Sequence, residues 1–194
     1  REDVLSVTDK ANDIEMIATA RDTRPTAVYR LTQDRDVITL DDELYFSNGL
    51  AYDALRQRFY CNDTFRTSWA WDVRDNLTLA NKRVLLDRND CDGMTLDVGG
   101  NVLITGFRSY GLVRRVTPDG AELPALLTPP GATTQIRFGG ADLCDVYITM
   151  VPVGAGASVK DGKPLVDPSY LYRGRSDFPG VAVAPANFNL KQRS

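Results

Sequence analysis

Along this chain hydrophobic and polar positions alternate in short runs of about four to eight residues, and nowhere do apolar positions keep the three-and-four spacing of an amphipathic helix. The pattern predicts strands, and an all-β chain. The strands come in a repeating unit: an inner hairpin with Asp or Gly at its turn, a third strand rich in aromatic and basic residues, then an outer strand. The inner hairpins read LSVTDKANDIEMIATA (5–20), LAYDALRQRFYCND (50–63), MTLDVGGNVLITG (94–106) and IRFGGADLCDVYITM (136–150). The third strands read AVYRL, WAWDV, LVRRV and YLYRG, and the first three are followed by DVITL, NKRVLL and ELPALL. Tyr29 to Trp71 is a step of 42 residues and Trp71 to Arg114 a step of 43. That is the length of a four-stranded propeller blade, roughly 40 to 50 residues. The last step, Arg114 to Tyr172, is 58 residues, because VPVGAGASVKDGKPLVDPS is inserted as a Gly- and Pro-rich surface loop. A two-sheet sandwich also has short alternating strands, but gives no reason for the unit to recur. The expectation is a β-propeller domain over residues 1–194, with blades at about 1–40, 41–86, 87–128 and 129–194.

Composition narrows the chemistry. At 43% hydrophobic content, 194 residues suffice for a substantial core. The net charge of −3, from 23 basic and 26 acidic residues, leaves no basic stripe for nucleic acid. No run of about 18 apolar residues predicts a membrane-spanning helix, and the first ten residues do not read as a targeting segment. Cys61, Cys91 and Cys144 form no CxxC pair, and an odd number suits a reducing compartment, so a cytoplasmic location is expected. Sequons at Asn62 and Asn76 are triplets that also arise by chance. The chain has no histidine, which removes Ser-His-Asp and Cys-His catalysis and imidazole metal ligands. Carboxylates, amides, hydroxyls, lysine and arginine remain.

Within YFSNGLAYDALRQRFYCND (45–63), Asn48-Gly49 carries the signal of a type I′ hairpin turn. The polar reversal from Asp53 to Arg58 already supplies the turn of that hairpin. Asn48 therefore stands ahead of the hairpin's first strand, where its amide is open to another role.

The segments SNGLAYD…FYCND, DGMTLDVGGNVLIT, GLVRRVTPDG and TTQIRFGGADLCDVYIT resemble the SMP-30/gluconolactonase/luciferin-regenerating family. The resemblance is good over residues 27–150 and weak at both ends. It implies a six-bladed propeller with a metal ion in its central channel, of which this chain would be about the last four blades. It implies that Asn48 and Asp92, each leading an innermost strand, are metal ligands, and that Asp92 also serves as general base or orients the attacking water. One divalent cation is expected, Ca²⁺ first, with Zn²⁺, Mg²⁺ or Mn²⁺ as alternatives. Arg1 and Asp3 fall where the family binds substrate, although Asp3 replaces an asparagine and Leu5 a glycine. The family's N-terminal metal-ligand glutamate has no counterpart. A missing N-terminal segment or companion chain of about two blades is accordingly expected as a partner. Asp63 reads equally as an accessory ligand or as a carboxylate that stabilises its blade. Tyr29, Trp69, Trp71 and Tyr172 recur at one place in the unit and read as packing between blades. Cys91 reads as a small buried hydrophobe.

The function implied is a divalent-metal-dependent carboxylic ester hydrolase, a lactonase acting on a sugar lactone or related cyclic ester. The alternatives are a non-catalytic propeller that binds calcium or a partner, and a related propeller hydrolysing organophosphates or aryl esters. A strictosidine-synthase-like reading needs a glutamate in the channel, and none is evident among Glu2, Glu15, Glu43 and Glu122.

Overall fold

The computed structural model describes residues 26–108, 112–127, 129–152, 155, 162 and 167–183. Their strands are β1 (Thr26–Leu31), β2 (Val37–Leu44), β3 (Ser47–Asp53), β4 (Arg58–Asp63), β5 (Thr67–Val73), β6 (Leu79–Leu86), β7 (Cys91–Leu96), β8 (Val102–Gly106), β9 (Val113–Val116), β10 (Glu122–Leu127), β11 (Ala132–Gly139), β12 (Asp145–Val151) and β13 (Tyr170–Arg175). They form four antiparallel meanders: β1-β2, β3-β4-β5-β6, β7-β8-β9-β10 and β11-β12-β13. These are the units expected from the alternation. The predicted hairpin at 5–20 lies outside the described residues, so the first sheet is seen through its third and outer strands alone.

The β3–β4 turn falls at 54–57, and Asp53 builds it. Its Oδ1 accepts the backbone N–H groups of Leu55 and Arg56, both at 3.0 Å, and its Oδ2 pairs with Arg56 at 2.9 Å. An aspartate that caps its own turn removes any need for Asn48-Gly49 to bend the chain.

Sheets stack face to face, so alternate residues of one strand enter different cores. On β8, Val102 and Ile104 join Tyr60, Ala70, Leu85, Cys91, Met94 and Leu96, whereas Leu103 joins Ile136, Val146, Ile148 and Met150. On β4, Tyr60 belongs to the first of these clusters, while Phe59 and Cys61 pack with Val28, Leu44 and Trp71. Both faces of these strands are covered, which is why β8 is buried at every position. Each fully buried Leu or Ile contributes on the order of 1.5–3 kcal/mol. Trp71 is buried with the half-buried Trp69 in one core and Tyr172 packs half-buried against another, which places these three in packing roles; Tyr29 is half-buried.

The first strands of three successive sheets, β3, β7 and β11, lie side by side. Glycine makes this possible. A side chain at Gly49 would collide with the Asp92 carbonyl and come within 2.7 Å of Gly93 Cα, and one at Gly93 would come within 2.7 Å of Gln135 Cα.

Candidate metal and catalytic centre

All three inner strands carry a register shift at the same place. On β3, Ser47 pairs with Asp63 and Leu50 with Cys61, so Asn48 and Gly49 together oppose Asn62. On β7, Cys91 pairs with Gly106 and Met94 with Ile104, leaving Asp92 and Gly93 opposite Thr105. On β11 the shift lies between Thr133 and Gln135, at Thr134. Such bulges kink a strand and re-aim its side chains. Asn48 thus lies inside β3 and not ahead of it, and its side chain is turned toward the next sheet by the bulge.

The two bulges meet. Asn48 Nδ2 donates to Asp92 Oδ1 at 2.6 Å. Both side chains are half-buried. Burial pushes the Asp92 carboxyl up to about 7, and the Asn48 amide offsets this in part. No cationic side chain is among its partners in the described residues, so within them its charge is poorly compensated.

A buried scaffold holds this pair. Asn62, fully buried, donates Nδ2 to the Asp92 carbonyl at 2.6 Å, and its own Oδ1 accepts the Ser68 hydroxyl. Thr64 Oγ1 donates to the Cys91 carbonyl at 2.7 Å. The Asn62 sequon is therefore a structural amide, closed to a glycan. On the other side, Asp63 Oδ1 accepts the backbone N–H groups of Tyr45 at 3.0 Å and Phe46 at 2.8 Å, which fixes the bend that enters β3. Asp63 is fully buried, its Oδ2 has no hydrogen-bond partner among the described residues, and burial pushes its carboxyl up despite the two N–H groups. Of its two readings, the structure supports the blade-stabilising carboxylate. Cys91 is buried and its thiol is pushed up to about 11 by desolvation, as for a small apolar residue.

Asn48 and Asp92 fit a hard divalent cation as two of its ligands. They are oxygen donors, one anionic, where burial penalises the bare carboxylate. A half-turn of the Asn48 amide exchanges its N–H₂ for its oxygen. Among the described residues no group of three or more Cys, Asp or Glu completes the set. Arg1 and Asp3 lie outside the described residues.

Matching the inner strands by their bulges shows two residues that motif reading passed over. Gln135 stands where β3 and β7 have Gly49 and Gly93, and Arg137 where they have Ala51 and Thr95. The signal was present in the strings SNGLA, CDGMT and TTQIR, but only the register aligns them.

The profile of the SMP-30/Gluconolactonase/LRE-like region matches residues 10–151. Regucalcin of Danio rerio is 30% identical over 146 residues, covering 71% of this chain and 49% of that protein. Pentonolactonase of Haloferax volcanii is 28% identical over 147 residues, covering 73% and 50%. Among solved structures, a luciferin-regenerating enzyme gives a TM-score of 0.66 at 25% identity over 82% of this chain and 55% of its own. A gluconolactonase from Xanthomonas campestris gives 0.55 at 26% identity over 67% and 43%. The chain spans about half the length of the relatives it matches. The likeness makes its stacked sheets blades of a partial β-propeller.

Proposed function

The chain belongs to the SMP-30/gluconolactonase/LRE-like family, and on that premise we propose that it works as a metal-assisted lactonase with Asp92 as its central residue. The observation that carries the reading is the meeting of Asn48 and Asp92 across two bulged inner strands, with a buried carboxylate that has no cationic side chain as partner among the described residues. The names of the relatives, a pentonolactonase and a gluconolactonase among them, support a sugar lactone as the substrate class. Ca²⁺ is the proposed cation, ahead of Zn²⁺, Mg²⁺ or Mn²⁺, since an amide and a carboxylate are hard oxygen donors.

Asn48 and Asp92 would hold the cation, with water or residues beyond those described completing its shell. A further segment or companion chain of about two blades is the proposed source of those residues. When bound, such a cation polarises the ester carbonyl and makes a neighbouring water more acidic. Asp92 takes a proton from the attacking water as its oxygen bonds to the carbonyl carbon. The ring C–O bond then breaks, and Asp92 returns the proton to the departing ring oxygen, so a lactone and one water give one hydroxy acid. Asn48, being neutral, holds its place without lowering the cation's net charge. Asn62 and Thr64 keep the β7 bulge in register, so Asp92 is presented at a fixed point.

The test is hydrolysis of a panel of sugar lactones before and after chelation, with each divalent cation restored in turn. Chelator-sensitive turnover supports the reading. Turnover indifferent to chelation overturns the metal's role. A second reading is a calcium-binding propeller without turnover. Tight cation binding with no hydrolysis of any lactone would decide for it.

A further inference from the structure

We propose that Arg137, set beside Gln135 on β11, is a specificity-determining cation that selects lactones bearing a carboxylate. This rests on the lactonase reading above. The Arg137 Nη1 group donates to the Met94 carbonyl at 2.7 Å, to Gln135 Oε1 at 2.8 Å and to the Ile136 carbonyl at 2.8 Å. All three acceptors are neutral. By contrast, among the described residues Arg115 pairs with Asp97, Arg56 with Asp53 and Arg173 with Asp145. Arg137 has no carboxylate partner among the described residues, and its side chain is exposed.

Its position relates it to Asp92. Met94 is two residues past Asp92 on β7, about 7 Å along the strand. The Gln135 side chain lies against Gly93, so it spans the ground between Arg137 and the Asp92 bulge. β7 is the edge strand of its sheet, and Arg137 reaches one of its carbonyls from the neighbouring inner strand. One nitrogen of the guanidinium is thereby anchored, while its other N–H groups make no contact with an anion of the described residues. A guanidinium presents parallel donors that match a carboxylate. The corresponding residues of the two preceding blades, Ala51 and Thr95, are small, so the fold does not require an arginine here. A lactone with its ester at Asp92 and its ring lying over Gly93 and Gln135 would direct a ring substituent toward Arg137. A carboxylate there would find a partner, and a hydroxymethyl group would not.

The experiment compares kcat/KM for two lactones of one ring size, one with a carboxylate substituent and one with hydroxymethyl, in the full chain and in Arg137→Ala and Arg137→Lys. The wild type is expected to favour the carboxylate lactone. Arg137→Ala should lower kcat/KM for that substrate by about 10- to 100-fold and leave the neutral one within about threefold, from the strength of a charge-assisted hydrogen bond. Arg137→Lys should restore part of the preference, and added salt should weaken it. Equal losses on both lactones, or a wild-type preference for the neutral one, would overturn the proposal and leave Arg137 as a strap between strands. Calorimetric binding of a sugar dicarboxylate against the matching neutral polyol separates this from the lactonase reading. Selective, Arg137-dependent binding without any hydrolysis supports Arg137 while sinking the lactonase; no selectivity in binding sinks Arg137 whatever the turnover.

Discussion

Asp92 carries the most specific expectations. Asp92→Asn keeps the size and the contact with Asn48 but removes the anionic ligand and the proton acceptor, so hydrolysis should fall by about 100-fold or more in a folded protein. Steady-state kinetics on protein checked by circular dichroism will show this; near-normal turnover would remove Asp92 from the mechanism. Asn48→Ala should weaken cation affinity more than stability, and calorimetry that finds affinity unchanged would reduce Asn48 to a bulge residue. Asp63 is the contrasting carboxylate. Asp63→Ala strips the acceptor from two N–H groups at the entrance to β3 and should cost about 2–4 kcal/mol in denaturant unfolding, with cation affinity falling as Asn48 loses its anchor. Asp63→Asn retains an acceptor and sheds a buried charge, and should recover most of that stability.

The inner strands work as a set, and their spacing depends on glycine. Gly49→Ala places a methyl group into the Asp92 carbonyl and the Gly93 backbone, neither of which is a flexible side-chain end. The strands must separate, at a cost of about 1–3 kcal/mol or more. Because the clash falls on the β7 bulge, the same substitution should reduce turnover more than a core change of equal cost, such as Ile104→Val. Unfolding curves beside kcat on both variants will check it. Equal activity at equal stability would show that the bulge positions nothing.

For the molecule as a whole, the Asp92 carboxyl couples cation, proton and stability. Its folded value of about 7 lies above the ordinary 3.8. The neutral form is therefore favoured by folding: the metal-free protein holds this contribution below about pH 4 and loses it as pH rises through 7, by up to about 4 kcal/mol. Asp63 acts in the same direction, so Asp92→Asn should flatten only part of the decline. A cation needs the ionised form, so binding should release close to one proton below pH 7 and tighten by about tenfold per pH unit up to that point, then level off. Calorimetry in two buffers of different ionisation enthalpy measures that proton. Thermal melts across pH 5–8, with and without Ca²⁺, should show the cation's stabilisation growing with pH. A pH-independent affinity would contradict the assignment of Asp92 as ligand.

The strand content, the repeating unit and the hairpin turn at 54–57 were legible in the chain, because alternation and turn chemistry are local and each blade restates them. Asn48 and Asp92 stood out too, as candidates, through motifs that recur at blade spacing. Their mutual contact was not: it joins residues 44 positions apart through bulges whose existence depends on which strand lies alongside. Asp63 could be read two ways until its oxygen was seen to hold the N–H groups of Tyr45 and Phe46. Asn62, read as a sequon, became a buried brace for the Asp92 carbonyl. Gln135 and Arg137 went unnoticed because nothing local distinguishes them from other polar strand residues. Hydrophobic period and turn residues are properties of a short stretch of chain, so sequence reveals them; the direction of a side chain at a bulge is set by the packing of neighbouring blades, and only their assembly determines which groups meet.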